Sequence, residues 1–305
     1  MAKPAWTGVY PALLTPFTKD DQIDLELFGK NLKAQIDAGV SGVIIGGTLG
    51  EASTLEHGEI ISMLEYAKSN VAADFPVVVN VAEGSTRNAI RAAQNIQAHG
   101  ADGIMLLPPM RYKSDDAETV AFFSAVATSI SLPVMVYNNP VDYKIEVTLP
   151  MFEQLAKIEN IQSVKESTRD VSNVTRMKNT FGDRFKILCG VDTLTLEEIA
   201  LGADGLVAGL VDAFPAETVA IFNLMKAGRY EEALKIYRWF LPLLELDIVP
   251  KLVQYIKLAA TQTGIGSEYV RAPRQMISGT ERERVLDIIN RGLANRPQLP
   301  DYRNL

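Results

Sequence analysis

Eight short runs of mainly apolar residues alternate with amphipathic segments from the start of the chain to about residue 215. In the intervening segments apolar residues recur at intervals of three and four, which is the period of a helix. Several of the eight runs are apolar throughout, as is typical of strands in a buried parallel sheet. The predicted strands are Val9 to Leu14, Val43 to Ile45, Val77 to Val81, Gly103 to Leu107, Val134 to Tyr137, Ile161 to Lys165, Lys186 to Cys189 and Gly205 to Ala208.

A junction with two glycines recurs where a helical segment meets the next strand. It reads D-A-G-V-S-G-V at 37–43, A-H-G-A-D-G-I at 98–104 and A-L-G-A-D-G-L at 200–206. The first glycine can end a helix in a left-handed cap, and the second begins the strand. The repeated unit predicts an α/β fold, a closed (β/α)₈ TIM barrel. An open doubly wound sheet also fits the alternation, but it seldom needs eight such regular units.

After Ala208 the pattern contains helical segments only. We expect one of these helices to close the barrel and the others to form a C-terminal helical extension. This divides the chain into a barrel over residues 1–225 and an extension packed on it over residues 226–305. No linker rich in Pro, Gly or Ser separates two folding units.

Charge and cysteine content restrict the class of protein. The formal charge of -7 argues against nucleic acid as a partner. The one cysteine, Cys189, excludes an internal disulfide and fits a reducing compartment. The start M-A-K-P-A-W-T-G lacks an apolar signal core, and no later run approaches the length of a membrane span. We therefore expect a cytoplasmic protein without a membrane partner.

Lys165 lies at the end of the apolar run I-Q-S-V-K. Because side chains alternate along a strand, Glu166 points away from Lys165 and cannot neutralise it. Desolvation lowers the pKa of a buried ammonium, and the neutral amine forms a Schiff base with a carbonyl carbon. The alternative is a lysine whose ammonium reaches solvent where the strand meets its loop.

Two further strand ends carry polar side chains at the edge where a TIM barrel has its active site. Tyr137 is expected beside Lys165, where its hydroxyl can transfer protons. Its alternative role is to fill the barrel with the hydroxyl bound to one structural partner. Asp192 follows Gly190 and can bind a substrate hydroxyl or cap the helix that starts near Leu194; we favour the cap.

The segment G-G-T-L-G-E, residues 46–51, follows the second strand. Its glycines let the backbone approach a ligand, consecutive N–H groups can hold a carboxylate, and Thr48 adds a hydroxyl. The spacing fits neither a dinucleotide fingerprint nor a P-loop, and a plain structural turn also explains it. His57 and His99 lack the spacing of metal ligands, so no metal is expected.

Four motifs follow one another along the chain: G-G-T-L-G-E (46–51), Y-N-N-P (137–140), V-K-E-S (164–167) and A-D-G-L-V-A-G-L (203–210). Together they resemble the N-acetylneuraminate lyase and dihydrodipicolinate synthase family over essentially the whole chain. The resemblance implies a TIM barrel with a C-terminal helical extension, usually a homotetramer, whose lysine forms an imine with pyruvate or another 2-oxo acid without a further cofactor. By position, Lys165 resembles the Schiff-base lysine and Tyr137 the proton shuttle. Thr48 and Leu49 match the pair that holds the carboxylate, and Val207 matches a residue whose backbone lines the pyruvate pocket.

Candidate catalytic residues are therefore Lys165, Tyr137 and Thr48. Candidate substrate-binding residues are Gly47, Leu49, Val207, Asp192 and Gly190.

The chain departs from the family pattern at four places that bear on the substrate. Dihydrodipicolinate synthases usually have a second hydroxyl residue where this chain has Leu49, and an arginine where it reads Val141, Asp142, Tyr143. Arg111 or Tyr112 stands near the place of a tyrosine that a neighbouring subunit usually lends. Sialic acid lyases typically have an acidic pair where this chain has only Asp192, followed by threonine.

These departures favour a Schiff-base lyase of the aldolase or dehydratase type, from the catabolism of a sugar acid, a hydroxyproline-derived compound or a similar 2-oxo acid. The alternatives are 4-hydroxy-tetrahydrodipicolinate synthase, hydroxypyrroline-carboxylate deaminase, and a non-catalytic 2-oxo acid binding protein.

Overall fold

The computed structural model describes residues 3–305. Eight parallel strands lie in the order β1-β8-β7-β6-β5-β4-β3-β2. The two strands at the ends of this order meet at a parallel bridge between Ala12 and Ile44, where the Leu13 N–H donates to the Ile44 carbonyl at 2.9 Å. The predicted TIM barrel is thus confirmed. The strands are β1 (Gly8–Pro11), β2 (Val43–Ile45), β3 (Val77–Val81), β4 (Gly103–Leu106), β5 (Val134–Asn138), β6 (Ile161–Glu166), β7 (Lys186–Cys189) and β8 (Gly205–Ala208).

Strand boundaries agree with the sequence prediction except at a few ends. β1 stops at Pro11 and not at Leu14, because the chain beyond it crosses towards β2. β4 ends one residue early, while β5 and β6 each extend by one residue. Nearly every strand residue is buried, as expected for a parallel sheet between a packed barrel interior and surrounding helices.

Helices follow the strands and cover the outside of the barrel. The helix Pro215–Lys226 packs on β1 and on the first helix of the chain, so it completes the outer layer. The next three helices form the C-terminal extension that the sequence predicts. The division at residue 225 stays a prediction. The helices are α1 (Leu25–Ala38), α2 (His57–Asn70), α3 (Thr86–Ala98), α4 (Asp116–Thr128), α5 (Pro140–Tyr143), α6 (Leu149–Leu155), α7 (Ser172–Phe181), α8 (Thr195–Ala200), α9 (Pro215–Lys226), α10 (Tyr230–Leu244), α11 (Leu252–Gln262) and α12 (Gly279–Ala294).

The first glycine of each repeated junction has a left-handed backbone. Gly39, Gly100 and Gly202 have φ angles of 95°, 86° and 104°, which residues with a Cβ rarely adopt. The Gly39 N–H caps α1 by donating to the carbonyls of Gln35 and Ile36. The left-handed caps inferred from the glycine spacing are thus present where helix meets strand.

The C-terminal extension is joined to the loop after β2 by a buried ion pair. The Lys257 ammonium, on α11, donates to Glu51 and, at 2.6 Å, to the Tyr269 carbonyl. Both side chains of the ion pair are about 1% exposed or less. Glu51 also accepts the Arg271 N–H at 3.1 Å. One carboxylate thereby holds the segment 46–51 against two parts of the extension.

No helix within residues 3–305 has both the length and the apolar character required to cross a membrane.

Candidate active site

Lys165 and Tyr137 lie side by side on β6 and β5, as the sequence predicts. The two residues are paired across the parallel ladder, and the Lys165 Nζ lies 4.2 Å from the centre of the Tyr137 ring. Both side chains are buried, with 7% and 6% exposure. The Lys165 side chain therefore does not extend into solvent. This contradicts the alternative prediction that its ammonium reaches solvent where the strand meets its loop.

Burial lowers the pKa of Lys165 from its ordinary value, because the ammonium loses hydration. Tyr143, Asp247 and Asp192 oppose this shift by favouring the charged form. Burial also raises the pKa of Tyr137 to about 12, so its hydroxyl keeps its proton. The site thus combines an amine that readily becomes neutral with a protonated phenol.

The loop after β2 presents two free backbone donors beside this pair. Within the described chain, the N–H groups of Thr48 and Leu49 donate no hydrogen bond to protein. The loop can fold this tightly because Gly46 has a φ of 69° and because a Cβ at Gly50 would lie 2.9 Å from the Leu13 carbonyl oxygen. Adjacent free N–H groups are a suitable binding site for a carboxylate.

Tyr143 on α5 reaches the same loop. Its hydroxyl lies 2.6 Å from the Thr48 Oγ1, and its ring contacts the Tyr137 ring edge to face at 5.4 Å between centres. Burial raises the pKa of Tyr143. A hydroxyl pair therefore adjoins Tyr137, and it comes from this chain alone. The sequence marks Tyr143 as a departure from the family but does not indicate this contact.

A small cavity joins these groups. Its volume is about 70 Å³, enough for roughly five to seven water-sized groups at about 10–15 Å³ each. A side chain at Gly190 would meet the Lys165 Cγ at 2.7 Å, so glycine is required there. The candidate residues that line the cavity are Gly47, Thr48, Leu49, Tyr137, Lys165, Gly190 and Val207.

Asp192 does not line this cavity, and the helix that follows it has no side-chain cap. The preferred interpretation as a cap of the helix near Leu194 is therefore wrong. The carboxylate instead accepts the N–H groups of Gly209 at 3.0 Å and Leu210 at 2.8 Å. The partners of Asp192 depend on tertiary structure. Because β7 and β8 are neighbours, Gly209 and Leu210, which follow β8, lie next to Asp192, which follows β7.

Five polar residues of the cavity were not selected from the sequence: Asn139, Asp142, Ser167, Arg169 and Asp247. Ser167 is 2% exposed, and its hydroxyl has no hydrogen-bond partner within residues 3–305. Arg169 is exposed, and within the same range its guanidinium forms no hydrogen bond or ion pair with a side chain. The polar sequence S-T-R directly after β6 was a signal for Ser167 and Arg169.

A second cavity of about 460 Å³ lies on the other side of Thr48 and Tyr143. Arg111 lines it, whereas Tyr112 lies outside both cavities and is 56% exposed. The His57 imidazole lies 3.3 Å from Glu83. The described residues contain no cluster of His, Cys, Asp or Glu suited to a metal ion.

Glu166 points away from the cavity, as strand alternation predicts. Its carboxylate accepts the Thr168 N–H at 2.7 Å and the Asn173 side-chain amide at 2.8 Å. Glu198 on α8 lies behind the same strands with 1% exposure, and both of its carboxylate oxygens lack a hydrogen-bond partner within the described chain. Burial, and secondarily the charge of Glu166, raise the pKa of Glu198 to about 8.

This buried acid makes stability depend on pH. The folded state holds the Glu198 proton up to about pH 8, whereas the unfolded state releases it near 4.5. The free energy of unfolding should fall between these pH values, by roughly 3–5 kcal/mol from this group. Glu198→Gln should remove that slope, as urea unfolding of both proteins at several pH values can measure. A Glu198→Gln slope equal to that of the wild type would contradict this assignment.

A (β/α)₈ barrel with a desolvated lysine at the C-terminal ends of its strands has the architecture of a class I lyase, which binds carbonyl substrates as a lysine imine. The model of the dihydrodipicolinate synthetase family matches residues 5–291. The chain belongs to that family. It is an enzyme of the family's class I lyase type, which uses a covalent lysine imine and no external cofactor.

Similar proteins support this membership along nearly the full chain. The 4-hydroxy-tetrahydrodipicolinate synthase of Methanosarcina barkeri is 31% identical over 92% of this chain and 96% of its own length. That of Exiguobacterium sibiricum is 34% identical over 88% and 90%. A solved dihydrodipicolinate synthase from Bacillus anthracis superposes with a TM-score of 0.90 at 26% identity, covering 98% of this chain and all of that one.

Proposed function

We propose that this enzyme binds a 2-oxo acid as an imine of Lys165 and then breaks or forms a bond one carbon beyond the imine carbon. The observation that carries the proposal is the buried Lys165 amine beside Tyr137, across a small cavity from two free backbone N–H groups. These groups match the three parts of a 2-oxo acid that need recognition: the keto carbon, its oxygen and the carboxylate.

In the proposed mechanism the N–H groups of Thr48 and Leu49 bind the carboxylate and orient the keto carbon towards the neutral Lys165 amine. Attack gives a carbinolamine, and the phenol of Tyr137 protonates the departing oxygen as water. The protonated imine then accepts electrons from the breaking bond, which stabilises the resulting carbanion as an enamine. The hydroxyl groups of Tyr137 and Thr48 carry out the later proton transfers. Water finally hydrolyses the imine and restores Lys165.

The contact between Thr48 and Tyr143 supports a proton path supplied within one chain. Tyr143→Phe should lower kcat by about 10²-fold, the lower end for a general acid-base group, and alter the pH profile. The matched variant is Tyr112→Phe. Tyr112 is exposed and stands near the position of the tyrosine that a neighbouring subunit usually contributes in this family. A loss in Tyr112→Phe together with normal turnover in Tyr143→Phe would mean that the path uses a neighbouring subunit instead.

The preferred substrate is a catabolic 2-oxo acid without a second carboxylate. Asp142 occupies the cavity in the region where dihydrodipicolinate synthases usually have an arginine, and Asp247 adds a second carboxyl group. These carboxyl groups would disfavour a second carboxylate on the substrate, and water around the exposed Asp142 weakens its share of the repulsion.

The second candidate is 4-hydroxy-tetrahydrodipicolinate synthase. The names of the similar proteins favour it over the catabolic function. The unpaired guanidinium of Arg169, which lines the cavity, can bind a second carboxylate. Two assays distinguish the two candidate functions. One measures condensation of pyruvate with aspartate semialdehyde, and the other screens hydroxylated 2-oxo acids for cleavage and dehydration. Rapid condensation that Arg169→Ala abolishes would establish the second candidate and contradict the catabolic one.

We further propose, from the family resemblance, that the enzyme is a cytoplasmic homotetramer. Size-exclusion chromatography with light scattering tests the tetramer; a monomer at micromolar concentration would contradict it.

A further inference from the structure

Asp247 belongs to the C-terminal extension but reaches the Lys165 cavity. It is the last residue of a short 3₁₀-helix, Glu245–Asp247, between α10 and α11. Its carboxylate lies against the chain just after β8, because a Cβ built on Gly209 would be 2.8 Å from the Asp247 Oδ1. The absence of a side chain at Gly209 thus provides the space that this carboxylate occupies.

The Asp247 carboxyl group has no protein partner. Within residues 3–305 it takes part in no hydrogen bond and no ion pair, whereas the nearby Asp192 carboxylate accepts two backbone N–H groups. Burial and the charge of Asp192 raise the pKa of Asp247, and Lys165 opposes that shift. Asp247 is half-buried, so water can reach its carboxyl group when the cavity is empty. Because this carboxyl group lines the cavity without a protein partner, it is free to bind a ligand group there.

A second observation in the same cavity points to a ligand. The Ser167 hydroxyl is 98% buried and also lacks a hydrogen-bond partner within the described chain. Besides the Lys165 amine, the cavity therefore contains two oxygen-bearing side chains without a hydrogen-bond partner in the described chain, one buried and one half-buried. Both can exchange hydrogen bonds with a neutral hydroxyl.

We propose that Asp247 is a specificity-determining residue that selects, among 2-oxo acids bound to Lys165, those with a hydroxyl group on the chain beyond the keto carbon. This inference rests on the proposed function. The substrate hydroxyl donates a hydrogen bond to the Asp247 carboxylate. A 2-oxo acid without that hydroxyl leaves the carboxylate unpaired, and one with a second carboxylate brings a like charge beside it.

The test compares 4-hydroxy-2-oxopentanoate with 2-oxopentanoate, which has the same carbon chain without the hydroxyl. The readout is the concentration of each compound that gives half-maximal reductive trapping on Lys165, with the intact and the pyruvate adducts both counted by peptide mass. We expect the wild type to favour the hydroxylated compound by about ten- to hundredfold, the range for a hydrogen bond to a charged group. The quantity compared between variants is the ratio of the two half-maximal concentrations. If the loss of the Asp247 charge changes the reactivity of Lys165, both compounds are affected alike and the change cancels in this ratio.

Asp247→Ala should bring the ratio to within about threefold of one. Gly209→Ala should lower the ratio, because the added Cβ displaces the Asp247 carboxylate while its charge remains. That Cβ would also lie 2.8 Å from the Leu49 Cδ1, but weaker binding of the 2-oxo acid carboxylate affects both compounds and cancels in the ratio. Glu245→Ala is the matched control, since Glu245 is an exposed acid on the same 3₁₀-helix outside the cavity and should keep the wild-type ratio. A wild-type ratio near one, or a ratio unchanged in Asp247→Ala, would overturn the inference while adducts on Lys165 still support the proposed function. Absence of any wild-type adduct would overturn both.

Discussion

Lys165→Ala should lower kcat/KM for any 2-oxo acid substrate by about 10⁴–10⁶-fold, the scale seen when a covalent nucleophile is removed. The loss should fall mainly on kcat, because the N–H groups of Thr48 and Leu49 still bind the carboxylate. Without the amine no protonated imine forms to accept the electrons of the breaking bond. Tyr137 can transfer protons but cannot supply this electron sink. Steady-state kinetics on the substrate found in the screen measures the effect.

The control for this variant is Lys144→Ala, since Lys144 is an exposed lysine after α5 and outside the cavity. It should retain turnover close to that of the wild type. The Lys165 variant should also unfold no more easily than the wild type, because alanine removes a desolvated ammonium from the barrel. Turnover within tenfold of the wild type in Lys165→Ala would refute imine chemistry at this residue.

Lys257→Ala should lower the free energy of unfolding by about 3–5 kcal/mol, the usual cost of removing one partner of a buried ion pair. Glu51 would keep the Arg271 N–H at 3.1 Å and the Arg274 guanidinium at 3.6 Å, but it would lose the ammonium that is buried with it and lies closest to it. The loop 46–51 should loosen as well, which predicts a higher KM for the 2-oxo acid. Urea unfolding and steady-state kinetics measure the two effects.

The double variant Lys257→Met with Glu51→Gln is the control for this prediction. It removes both charges while the methionine fills much of the space of the lysine, so it should be more stable than Lys257→Ala. If Lys257→Ala instead costs less than about 1 kcal/mol, in the range of a surface pair, the ion pair does not hold the extension to the loop.

The sequence predicted the barrel and the central pair well because both depend on local patterns. Apolar runs mark buried strands, and in a parallel barrel the last residues of neighbouring strands come together. Tyr137 and Lys165 are the last predicted residues of adjacent strands, and the structure pairs them. The left-handed caps at Gly39, Gly100 and Gly202 were likewise visible as a repeated spacing.

Residues whose roles depend on packing between distant segments were not predictable in this way. Asp192 accepts hydrogen bonds from the two N–H groups after β8. This contact forms only because β7 and β8 are neighbours in the folded barrel. Asp247 comes from the extension, where no local motif indicates that it faces a cavity in the barrel. The same holds for Lys257, whose partner Glu51 lies far away in the sequence.

Borohydride reduction in the presence of pyruvate, followed by peptide mass mapping, tests the central claim most directly. The account predicts a pyruvate adduct on Lys165 and on no other lysine. Lys257 provides a stringent internal comparison, since burial lowers its pKa to about 8, yet it is paired with Glu51 outside the cavity. An adduct on Lys257, or none on Lys165 with pyruvate or a longer 2-oxo acid, would contradict the account.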